Sequence, residues 1–193
     1  MNIEKILENI ELHYLTLTED CKNDLKKVSK ILTFDKETIF VKEGQFAYKT
    51  YFIAQGSARA FYIKEHKDIT DWFAFENDFI SSINSFFLNI PSPHFIEVLE
   101  PSILLEISKE NVIRLSDKYI EFDRLGKVIV TKTMLQLQQR IVSIQFETAQ
   151  QKYENLLKIR PDITQRAALT KIASYLGITL ETLSRIRNPK NRI

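Results

Sequence analysis

Between residues 31 and 107 the chain reads as a series of short β-strands, with helical periodicity on either side. Within that block, β-branched and aromatic residues gather in short runs: Ile31–Phe34, Thr38–Lys42, Thr50–Ala54, Ala58–Ile63, Ile69–Phe75, His94–Leu99 and Ile103–Ile107. Glu43-Gly44 and Gln55-Gly56-Ser57 mark turns, because glycine reaches positive φ without steric cost. Many short strands separated by turns predict two packed sheets or a barrel. Upstream, Ile3, Ile6, Leu7, Ile10 and later Leu25 and Val28 recur at helical spacing, and Thr18 stands as the N-cap of a second short helix. The predicted class is therefore α+β.

Helical periodicity returns at residue 108. Ser108 is placed to cap a helix running toward Lys118. A longer helix follows, from about Glu121 to about Phe146. In it Val130, Met134, Leu137, Ile141 and Ile144 are spaced 4, 3, 4, 3, a heptad seam. The seam is read as a dimer interface rather than as a helix packed on its own domain, because the helix is long and bridges two modules. Gly126, near its start, has no packing reason visible in the sequence. The next boundary is expected near Glu147–Gln150, and Pro161 marks a later helix end.

Composition narrows the chemistry. No apolar run approaches the ~18 residues that cross a bilayer, and Met1-Asn2-Ile3-Glu4-Lys5 lacks the basic-then-apolar pattern of a signal peptide. The single cysteine, Cys21, forms no intramolecular disulfide and is read as an inert thiol; a cytoplasmic setting is expected. Gly44, Gly56, Gly126 and Gly177 form no phosphate-cradling cluster. His13, His66 and His94 show no metal-ligand spacing. No nucleophile–base pair is legible either, so no enzyme, metal or cofactor is expected. The net charge is +2, but residues 160–193 carry +5 against −3 for the rest, which suggests a polyanion-binding end.

That basic end holds the most specific motif, LTKIASYLGITLETLSRIR, from Leu169 to Arg187. Ile172, Ala173 and Leu176 share one helical face. Ala173 supplies the small contact residue that two steeply crossing helices need, and Gly177 the left-handed stop. Thr179 caps a second helix whose apolar positions are Leu180, Leu183 and Ile186. Its other face offers Glu181, Thr182, Ser184, Arg185 and Arg187. Arginine pairs with guanine through two hydrogen bonds, and glutamate accepts from the cytosine amino group. Arg185 is the leading base reader, with Thr182 and Glu181 next. Arg187, Lys190 and Arg192 suit phosphates.

The run Leu176-Gly177-Ile178-Thr179-Leu180-Glu181-Thr182-Leu183-Ser184-Arg185-Ile186 resembles the helix-turn-helix of the Crp/Fnr regulators. Tyr51-Phe52-Ile53-Ala54-Gln55-Gly56-Ser57-Ala58-Arg59 resembles their cyclic-nucleotide-binding β-roll, and Phe75-Glu76-Asn77-Asp78-Phe79-Ile80 the entry to its ligand cassette. The resemblance implies a jelly-roll (double-stranded β-helix) sensor domain with flanking helices over residues 1–120, a dimerisation helix over 121–147 and a DNA-binding domain over 148–193. It implies a homodimer on a pseudo-palindromic DNA site. An unknown small-molecule effector and RNA polymerase are further candidate partners.

Two departures from the family pattern matter. Cyclic-nucleotide binders of this family hold the ribose with a Gly-Glu pair and the phosphate with an Arg-Ser or Arg-Thr pair. Here Ser81-Ser82 stand in the first place and Ser92-Pro93-His94 near the second, with no arginine between Arg59 and Arg114. Cyclic AMP is therefore not the expected ligand, since a buried phosphate needs a cationic partner. The candidate pocket residues are Phe79, Ser81, Ser82, Ser92 and His94, although His94 is expected as a surface or strand residue. Tyr51, Phe52, Phe61, Tyr62, Trp72, Phe73, Phe75, Phe79, Phe86 and Phe87 are read as core before ligand pocket. The second departure is the wing: after Arg187 only Asn188-Pro189-Lys190-Asn191-Arg192-Ile193 follow, so the usual hairpin is expected to be short or absent. The alternative to a DNA-binding regulator is a ligand-binding or protein-interaction module whose C-terminal helices contact a protein.

Overall fold

The computed structural model describes residues 1–188. The chain forms two compact units, one of residues 1–60 with 73–133, the other of residues 61–72 with 134 onward.

The first unit opens with α1 (Ile3–His13) and α2 (Glu19–Val28). Asn2 caps the first and Thr18 the second, each side chain accepting from a backbone N–H three residues on. Strands follow: β1 (Lys30–Phe34), β2 (Ile39–Val41), β3 (Lys49–Gln55), β4 (Ala58–Lys64), β5 (Lys67–Ala74) and β6 (Phe79–Ser81). The short α3 (Ile83–Leu88) precedes β7 (Phe95–Val98) and β8 (Ser102–Ser108). The strands pair in two four-stranded sheets, ordered β1-β8-β3-β6 and β2-β7-β4-β5, the interleaved order of a jelly roll. β3 is central to the first sheet, antiparallel to β8 from Lys49↔Ser108 and to β6 from Thr50↔Ser81.

All seven strands expected from the sequence form. β6 and α3 were not expected; three and six residues are too short to show a period. The β4–β5 turn was also silent in sequence. Glu65 and His66 take φ of 51° and 62°, positions that a two-residue hairpin turn usually fills with asparagine or glycine.

Ser108 caps α4 (Lys109–Lys118), and α5 runs over Ile120–Phe146. The core of this unit joins Ile6, Leu7 and Ile10 of α1 and Leu25 of α2 to Phe52, Leu105 and Ile107 of the sheet. Leu115 of α4 and Phe122 and Leu125 of α5 complete it. Burying a side chain of that size contributes about 1.5–3 kcal/mol, so Phe122 and Leu125 fix the start of α5. Cys21 lies in this core; burial, helped by Glu121, Asp24 and Glu11, pushes its thiol up to about 11.

In the second unit, α6 (Ala149–Ile159) begins with a capping box between Thr148 and Gln151 and ends before Pro161. Then come α7 (Ile163–Arg166), α8 (Leu169–Leu176) and α9 (Leu180–Arg187). Tyr153, Ile163, Ile172, Ala173, Leu176 and Leu183 are buried among them. Among the described residues, no helix is long and apolar enough to cross a membrane.

Candidate nucleic-acid interface

α8 and α9 are joined through Gly177, at φ 65°. The Gly177 N–H donates to the Ser174 carbonyl at 3.0 Å and the Ile178 N–H to the Ala173 carbonyl at 3.0 Å. These two bonds make a Schellman stop, which satisfies carbonyls that a helix end otherwise leaves open. Two residues later Thr179 starts the next helix, its hydroxyl accepting from the Thr182 N–H at 3.2 Å. The chain thus reverses within three residues and both helix ends are hydrogen-bonded.

Of the apolar positions expected on α9, Leu183 is fully buried, Ile186 half-buried and Leu180 exposed. Leu180 is the first residue of α9. Glu181, Ser184, Arg185 and Arg187 are exposed; Thr182 is half-buried. Glu181 is held below the usual carboxylate range by its own backbone N–H and the Thr179 hydroxyl, with Arg185 adding to the effect. It is an anion at a helix N-terminus, where the helix dipole favours one. The outer face of α9 therefore presents one fixed acceptor, two hydroxyl side chains and two guanidinium groups. Lys190, Arg192 and the question of the wing lie outside the described residues.

The proposed dimer seam stands open. Val130, Met134, Leu137, Ile141 and Ile144 are 53, 59, 37, 56 and 49 % exposed, although all are large and apolar. Past the Phe122–Leu125 anchor and half-buried Ile129, most of the apolar residues of α5 are exposed among the described residues.

Of the five candidate pocket residues, three are buried together. The Ser82 hydroxyl donates to Ser92 Oγ at 2.8 Å, and Ser92 Oγ donates to the His94 carbonyl at 2.7 Å. His94, expected as a surface or strand residue, is buried one residue ahead of β7; the hydrogen bond to Ser92 ties its backbone inward. Phe79 packs instead against Tyr14 and Phe52, at centroid distances of 5.5 and 5.1 Å. Ser81 is half-buried and pairs with Thr50 in the sheet. Among the aromatics, Tyr51, Phe52, Phe61, Phe73, Phe75 and Phe86 are buried as core, whereas Phe87 is exposed.

Upstream of the segment where a phosphate partner is expected lies a buried cation, Arg59. It is 2 % exposed on β4, and its Nε donates to Glu97 Oε1 on β7 at 2.7 Å. Ala58, Arg59, Ala60 and Phe61 are all buried, so the strand shows no alternation that would have marked the arginine as inward.

No protein-family model matches the sequence, and no curated protein matches it. Solved structures do. FixK2 from Bradyrhizobium japonicum superposes with a TM-score of 0.71 at 15% identity, over 84% of each chain. The c-di-GMP-responsive global regulator CLP from Xanthomonas campestris gives 0.68 at 14% identity, over 90% of this chain and 91% of that one. The catabolite activator protein of Thermus thermophilus gives 0.56 at 14% identity, over 90% and 83%. The chain therefore has the fold of the Crp/Fnr regulators, as the sequence resemblance implied.

Proposed function

We propose that this chain is a sequence-specific DNA-binding transcription regulator of the Crp/Fnr type, acting as a homodimer in the cytoplasm and not responding to cyclic AMP. The observation that carries the reading is the outer face of α9. A Schellman stop and a threonine cap fix the helix, and Arg185, Glu181 and Ser184 stand exposed on it. A helix so presented fits the major groove, with its N-terminal half toward base edges. Arg185 reads a base; Glu181 and Thr182 act beside it, Thr179 holds the helix start, and Arg187 and Lys190 neutralise phosphates.

The exposed seam supports the homodimer. A 4-3-4-3 pattern is self-complementary, so a second copy supplies the matching knobs and holes. Two copies also present two recognition helices, which is what a two-half-site operator requires. The buried Arg59–Glu97 pair supports the exclusion of cyclic AMP. The buried cation already has a carboxylate on it, and a phosphate arriving there meets that like charge.

The test is selection of genomic fragments by the purified protein at two salt concentrations, with Arg185→Ala and Leu137→Glu alongside. A motif of two half-sites is expected, with affinity falling as salt rises. Arg185→Ala should lose about 1–3 kcal/mol of discrimination at one base position. Leu137→Glu should sediment as a monomer and lose the two-half-site motif. Equal recovery of random fragments by all three proteins refutes the reading. It would favour a C-terminal hairpin that docks on a protein.

A further inference from the structure

The second unit contains a piece of chain that the helix-turn-helix motif does not announce. Residues 61–72, the outer part of the β4–β5 hairpin, pack with α6 to α9. Among the described residues, β5 is the last strand of its sheet, with β4 on one side. The outer edge of such a strand needs its N–H and C=O groups satisfied or covered. On this edge the Thr70 N–H donates to Ser174 Oγ at 2.9 Å, and Ser174 Oγ donates to the Asp68 carbonyl at 3.2 Å. One hydroxyl uses its donor and an acceptor lone pair on two alternate residues of the strand, the spacing at which backbone groups face the same side.

Ser174 belongs to α8. On an α-helix it lies about 150° from the centre of the face that buries Ile172, Ala173 and Leu176, by the 100° step per residue. It therefore docks the helix from the side away from α9. The next residue, Tyr175, is held from α5. Arg140 Nη1 donates to its carbonyl at 2.9 Å, and the guanidinium lies over its ring at 4.1 Å. With the Ala173 and Ser174 carbonyls taken by the Schellman stop and the Tyr175 carbonyl by Arg140, three successive carbonyls at the end of α8 are hydrogen-bonded.

We propose that Ser174 is a positioning residue for DNA recognition. Its hydroxyl seats α8 on the outer edge of β5, at Asp68 and Thr70, so the strand and the Arg140 contact from α5 together hold the helix that leads into α9. The inference rests on the regulator reading.

The experiment uses the full chain with Ser174→Ala and Ser174→Thr. Amide exchange at Thr70 reads the seat directly. Fluorescence anisotropy reads affinity for a wild-type-selected fragment and for random DNA. In Ser174→Ala the Thr70 amide should exchange about 2- to 12-fold faster, the range one net hydrogen bond supplies. Affinity for the selected fragment should fall by a similar factor with random-DNA affinity unchanged, and Ser174→Thr should restore both. A residue that only stabilises the unit would lower both affinities together. Unchanged Thr70 exchange, or an unchanged ratio of selected to random affinity, overturns the proposal while leaving the regulator reading intact. A wild-type protein that selects no DNA instead sinks the regulator reading, and Ser174 as a DNA-positioning residue with it.

Discussion

Gly56 and Gly126 respond to the same substitution with opposite sign. At Gly126, inside α5, an added Cβ meets no atom within 4 Å. Alanine there only narrows the unfolded ensemble and improves helix propensity, about 0.5–1 kcal/mol of stabilisation. At Gly56, between β3 and β4, φ is +91° and an added Cβ falls 2.2 Å from Ser102 Oγ, 2.8 Å from its Cβ and 2.9 Å from its Cα. The contact with Cα is with backbone, and Ser102 is buried with its hydroxyl donating to the Glu100 carbonyl at 2.7 Å, so it has nowhere to go. The left-handed conformation costs about 1–2 kcal/mol and the overpacking about 1–3 kcal/mol. Gly56→Ala should thus lose about 2–5 kcal/mol. At roughly 2–4 °C per kcal/mol for a chain of this size, calorimetry should show Gly126→Ala melting about 1–4 °C above the wild type and Gly56→Ala at least about 4 °C below it. A Gly56→Ala protein within a degree of the wild type refutes the crowding at Ser102. A Gly126→Ala protein that melts lower refutes the open helix face, and would mean that a second copy lies against that position.

Glu97→Ala should cost about 3–5 kcal/mol in urea unfolding, because it takes the carboxylate away from the buried Arg59 guanidinium; the apolar pair Arg59→Met with Glu97→Leu should recover most of it, and equal losses in both proteins would count against the ion pair. Cys21 should resist alkylation by iodoacetamide at pH 8 in the folded protein and react at once in urea. Its folded pKa is raised, so the native state holds the thiol proton more tightly than the unfolded chain does. Its contribution to stability is therefore full below about pH 9 and declines as pH rises toward 11. Rapid alkylation of the native protein would show that the site opens.

What could be read from the sequence was local. Gly177 and Thr179 announce the reversal between α8 and α9 because a left-handed stop and an N-cap each act within three residues, and residue type alone signals them. Heptad spacing is local in the same way: Val130, Met134, Leu137, Ile141 and Ile144 follow it, and all five stand exposed on α5. The features that stayed hidden share a different physics. Ser174 meets backbone groups of Asp68 and Thr70, more than a hundred residues away, and a backbone N–H or C=O is the same whatever the residue. Arg59 finds Glu97 across two strands 38 residues apart, and charge alone does not distinguish a buried pair from two solvated ions. The Glu65-His66 turn adopts positive φ without glycine or asparagine, so the strand pairing and packing around it, not its own residue types, must hold it there. The residues that hold α8 and α9 in place are therefore less legible than those that form them. The forming residues obey local rules of cap and period; the holding residues depend on which distant strand edge the fold leaves open.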